Sequence, residues 1–142
     1  SVLVLASAST TNGATATGLI DTLGFRQLTL DVNMTTADST TNVMTTLKLS
    51  ESDDTVVTNF VDITKFTGGT NSGNFTMPSP STTTNQANLY KFNIDLRGRK
   101  RYLKVTATPP TTQTITIWGV LQRPEKAPAV AADAGAIALI EG

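Results

Sequence analysis

The stretch "FRQLTLDVNM", residues 25–34, sets Leu28, Leu30, Val32 and Met34 on one side of an extended chain and Gln27, Thr29, Asp31 and Asn33 on the other. An apolar period of two cannot line one face of a helix, so it demands a strand with one wet and one dry face. The pattern recurs. "VMTTLKLSE" turns Val43, Thr45, Leu47 and Leu49 inward, and "NLYKFNIDL" does the same with Tyr90, Phe92, Ile94 and Leu96. "RYLKVTAT" contributes Leu103, Val105 and Ala107, and "QTITIWGVLQ" contributes Ile115, Ile117 and Leu121. With "VLVLA" at the start, a weaker segment from Ala16 to Thr22, and "NFVDITKF", about eight short strands result.

Between them lie "TTNG", "TADSTTN", "SESDD", "TGGTNSGN", "PSPSTTTNQ", "RGRK" and "TPPTTQ", which are turn sequences. Thr, 27 of 142 residues, suits such a fold because its branched Cβ fits a pleated surface and its hydroxyl tolerates water. The expected fold is all-β, an antiparallel β-sandwich or jelly-roll-like barrel, occupying residues 1–123 as one domain. Residues 124–142 lose the alternation. Pro124 and Pro128 oppose a helix there, so this Ala-rich stretch reads as an extended C-terminal arm, with Ile137, Leu139 and Ile140 as apolar contacts for a neighbour.

The chain has no Cys and no His. Disulfides, thiolate zinc sites, cysteine nucleophiles and histidine general bases therefore have no residues to work with, which argues against an ordinary enzyme. No catalytic, metal or cofactor residue is assigned. The opening "SVLVLASAS" lacks a cationic start and reads as a strand rather than a signal peptide, and no apolar run reaches the ~18 residues of a membrane span. A soluble protein without a membrane partner is expected.

Formal charge is zero, 11 cations against 11 anions, but it is unevenly spread. Arg97, Arg99, Lys100, Arg101 and Lys104 crowd into "DLRGRKRYLK", whereas Asp21, Asp31, Asp38, Glu51, Asp53, Asp54, Asp62 and Asp95 dominate the first 96 residues. The flanking alternation makes "RGRK" the reversal of a hairpin, with Gly98 able to supply a positive φ. Its cations are either a solvated rim or a docking surface for an acidic protein. Nucleic acid is the weaker partner, because no exposed aromatics interleave with the cations and the net charge is zero.

Other candidates are weaker. "ESDD" lacks the remaining ligands of a calcium loop and reads as turn capping, and nothing in the spacing selects Asp53 and Asp62 as an acid and base pair. Trp118, between apolar neighbours, reads as a core or interface anchor rather than a sugar platform. Asn33 and Asn74 begin glycosylation sequons, which carry meaning only in a secreted eukaryotic protein.

Two stretches, "LKLSESDDTVVTNFVDITKFTGG" (residues 47–69) and "YKFNIDLRGRKRYLKVTATPPTTQTITIWGVLQRPEKAP" (residues 90–128), carry a resemblance. A strand ending in "SDD", a following "F.DI" strand, an "RGRKRYL" hairpin and a last strand ending near Arg-Pro are similar to small structural proteins encoded in tailed-bacteriophage morphogenesis clusters. The resemblance spans roughly residues 43–128. It implies a virion protein of head decoration (cement) type that binds the outer capsid surface, with the major capsid protein and its own copies, often as trimers, as partners. It assigns no role to the "RGRKR" positions. A carbohydrate-binding β-sandwich module and another phage head or tail component are the competing readings.

Overall fold

The computed structural model describes residues 2–10, 14–34, 43–69, 75–77 and 88–124, with the side chains of 2–10 and 124 left aside. The described strands are β1 (Val2–Thr10), β2 (Ala16–Asp21), β3 (Phe25–Met34), β4 (Thr46–Ser52), β5 (Val61–Gly69), β6 (Asn88–Asp95), β7 (Tyr102–Thr108) and β8 (Gln113–Pro124). The only described helix is a single 3₁₀ turn, Val57–Asn59. The all-β expectation holds.

The strands form two four-stranded antiparallel sheets, in the orders β1-β8-β3-β6 and β2-β7-β4-β5. These orders have a simple origin. β4 pairs with β5, β3 with β6, β2 with β7 and β1 with β8, the layers of one long hairpin; rolling that ribbon up brings β3 against β8 and β4 against β7. That is the jelly-roll arrangement of two facing Greek keys.

The inward faces are those the alternation marks. Leu28, Leu30, Val32 and Met34 meet Leu47, Leu49, Leu103, Val105, Ile115 and Ile117 in one core, each of them without solvent exposure. Burying each such side chain contributes roughly 1.5–3 kcal/mol. Phe92 lies in the same core with the rings of Phe66 and Phe75 edge-on to it, at centroid distances of 5.9 and 6.0 Å.

Three local readings need correction. β4 begins at Thr46 rather than Val43: the Thr45 N–H and hydroxyl both donate to the Thr108 carbonyl, at 2.9 and 3.0 Å, before the regular ladder starts. Met44, on the expected wet face, is consequently buried, while Val43 is only partly so. Trp118 is not a core residue; it lies on the outer face of its sheet, half-buried, between the inward-facing Ile117 and Gly119. In β5 the ladder slips, since Lys48 faces Thr67 but Ser50 faces Asp62, so the edge strand bulges out of register. Such a bulge blunts an edge that would otherwise pair with another chain. β8 continues one residue past the expected domain boundary, through Pro124, and the remainder of the expected arm, with Ile137, Leu139 and Ile140, lies outside the described residues.

Candidate functional site

Three connections share one end of the sandwich: β2 to β3, β4 to β5, and β6 to β7. The first and last are built alike. In "DTLGF" the Asp21 carboxylate accepts the Leu23 N–H (3.1 Å) and the Phe25 N–H closes a turn on the Thr22 carbonyl (3.1 Å). In "DLRGR" the Asp95 carboxylate accepts the Arg97 N–H (3.0 Å) and the Arg99 N–H closes on the Leu96 carbonyl (3.1 Å). Gly24 (φ 82°) and Gly98 (φ 76°) hold the third turn position, where a positive φ suits glycine. The two turns are tied together: the Thr22 N–H and hydroxyl donate to the Arg101 carbonyl at 3.0 and 2.7 Å, and the Leu96 N–H donates to the Arg26 carbonyl at 3.0 Å.

"RGRK" is thus a turn between strands of opposite sheets, not the reversal of a hairpin within one. The structure brings Arg97, Arg99, Lys100 and Arg101 to this end, and each meets a carboxylate of its own chain. Arg97 grips Asp95 (2.6 Å), Arg99 reaches Glu51 (3.3 Å), Lys100 reaches Asp53 (3.4 Å) and Arg101 grips Asp21 (2.7 Å). Glu51 is the most enclosed of these acids and also accepts the Lys100 N–H, so it anchors the turn from beneath. Lys104 lies over the Phe60 ring, 4.6 Å from its centroid. Four of the five crowded cations therefore fold into ion pairs with acids of the same chain.

The carboxylates report the same arrangement. Hydrogen bonds from the Arg97 side chain, then from its N–H, with the field of Arg123 added, hold Asp95 down at about 2. The Arg101 guanidinium holds Asp21 below the usual carboxylate range. Burial pushes Asp62 up, but donation from Lys48 (2.8 Å) and Ser50 (2.8 Å) outweighs it, and the group ends low. Asp54 is lowered chiefly by the Asn59 amide and the Val56 N–H, so it serves as the turn cap read in "ESDD".

The same end also holds large apolar side chains in solvent: Leu23 (65% exposed) on the β2–β3 turn, and Val56 and Val57 (73%) on the β4–β5 connection. Sequence reading missed these, and it missed the repeated D-x-x-G that would have revealed the paired turns. Among the described residues no group of three acidic, Cys or His side chains could hold a metal, and no helix is long and apolar enough to cross a membrane. Compared with family models, curated proteins and solved structures, the chain shows no significant match.

Proposed function

We propose that this protein is a virion structural protein, a cement protein that decorates the outside of a bacteriophage capsid through protein contacts. The observation that carries the reading is the strand order β1-β8-β3-β6 facing β2-β7-β4-β5, an architecture used by viral capsid and lectin domains. The resemblance over residues 43–128 supports it. So does the end surface, where exposed Leu23, Val56 and Val57 stand among charges already satisfied in cis: burying these side chains against a partner gains apolar contact without stranding an unpaired charge. The docking residues on this reading are Arg97, Arg99, Lys100 and Arg101 with those three apolar side chains. Ile137, Leu139 and Ile140 of the arm bind a neighbouring copy, in a trimer.

Because the cations are internally paired, attraction to the capsid is short-ranged and apolar rather than a long-range pull of bare charge. Electron microscopy of particles from a virus that encodes this chain tests the proposal, with density for a jelly roll expected on the outer capsid surface. Purified particles in which mass spectrometry finds no trace of the chain would overturn it, and density confined to the tail would move the protein to another structural role.

A further inference from the structure

The outer face of the β1-β8-β3-β6 sheet carries a second, unassigned surface. Residues directly opposite on antiparallel strands share a face, so the ladder arranges this one in rows. Gln122, Gln27 and Asp95 form the first row, Val120, Thr29 and Asn93 the second, and Trp118, Asp31 and Lys91 the third. At the first row opens a cleft of about 590 Å³, lined by Arg26, Gln27, Asn93, Asp95, Arg97 and Arg123. Three arginines and one carboxylate, Asp95, line it. Asp95 is engaged by Arg97, while Arg26 and Arg123 form no ion pair among the described residues. The cleft therefore has an excess of two positive charges in a concave site of ligand size, and guanidinium forks suit a carboxylate.

The neighbouring rows narrow the ligand beyond a simple anion. Gln27 and Asn93 offer amides that both donate and accept. Two rows along, Asp31 is only 8% exposed and its Oδ1 accepts no hydrogen bond; Lys91 Nζ, 3.4 Å away, balances charge without bonding to it. Trp118 stands beside it across the ladder, half-buried on the same face. At ~3.4 Å per residue the cleft row and the Trp118 row lie roughly 14 Å apart, the reach of a short oligosaccharide. We propose that this face binds an acidic oligosaccharide: its carboxylate sits between Arg26 and Arg123, its hydroxyls bond Gln27 and Asn93, and a sugar ring packs on Trp118. The proposal is independent of the virion reading.

Trp118 is the only tryptophan, so its fluorescence reads the far end of the site directly. The parent protein is titrated with trigalacturonic acid and with sialyllactose, and with maltotriose and inorganic phosphate as controls. A saturable change with one of the acidic sugars is expected, at a concentration about tenfold or more below that needed for maltotriose, with no response to phosphate. Arg26→Ser with Arg123→Ser is expected to weaken that binding about tenfold or more while circular dichroism stays that of the parent. Should this variant not fold, Arg26→Lys with Arg123→Lys, which keeps charge but loses the fork, is expected to weaken it as well. Acidic sugars that bind no better than maltotriose, a phosphate response equal to theirs, or Arg variants that fold and bind like the parent would each overturn the assignment.

Discussion

Asp21, Asp62 and Asp95 are held below the ordinary carboxylate range by donors that the fold sets in place, Arg101 for Asp21, Lys48 and Ser50 for Asp62, and Arg97, two residues along the chain, for Asp95. A depressed folded pKa stabilises the fold above the unfolded value, near ~4, and that contribution disappears as pH falls through the folded value. Melting temperature is therefore expected to stay level from pH 7 to about 5 and then to fall progressively towards about pH 2, the value at which Asp95 itself protonates. Asp21→Asn should flatten part of that decline; a variant with the full acid sensitivity of the parent would show that the Asp21–Arg101 pair contributes nothing to it. The apolar residues act on another scale of energy. Phe92 is 8% exposed and touches Phe66 and Phe75 edge-on, so Phe92→Ala is expected to cost about 3–5 kcal/mol in chemical denaturation. A loss below about 1 kcal/mol would mean that the three rings do not form one cluster.

The two D-x-x-G turns are the elements that fold the ribbon over, carrying the chain from β2 to β3 and from β6 back to β7. At both glycines an added Cβ would meet no atom within 4 Å, so substitution tests backbone conformation alone. Gly24→Ala and Gly98→Ala are each expected to lose about 1–2 kcal/mol, the cost of a left-handed conformation for an ordinary residue, and Gly98→Asn less than Gly98→Ala. Equal stability of parent and both Ala variants would mean the turns tolerate another conformation. At this scale the limits of sequence reading are plain. The faces of β3, β6, β7 and β8 were legible because alternation states which side chains are dry. Strand neighbours were not, since a period of two fixes the face of a strand but says nothing of its partner. The same gap hid the charge pairs: Arg101 and Asp21 lie 80 residues apart, and only the pairing of β2 with β7 makes them adjacent. Apolar neighbours suggest a core place for Trp118 as readily as an interface one, although its position between Ile117 and Gly119 in the alternation points it outward and removes the core reading.

Across the whole molecule, the rolled ribbon makes nearly all pairing non-local. Val2 sits opposite Val120, and Leu28 opposite Leu121, whereas among the paired strands described only β4 and β5 follow one another in the chain, joined by residues 53–60. The entropy of closing a loop must be met before its contacts form, so folding on the ms–s scale typical of β-sandwiches is expected, with the β4–β5 hairpin assembled first and β1 and β8 last. Two buried isoleucines separate these stages: Ile63 in β5, 5% exposed, and Ile117 in β8, fully buried. Each cut to Ala should cost about 2–5 kcal/mol, enough for the rates to be interpreted. Ile63→Ala is expected to act mainly by slowing refolding, because its contacts are already made at the barrier, and Ile117→Ala mainly by speeding unfolding. Stopped-flow chevrons on the two variants decide the matter. If Ile117→Ala slows refolding while Ile63→Ala speeds unfolding, the barrier is crossed with β8 already docked, and the roll closes from its outer strands inward.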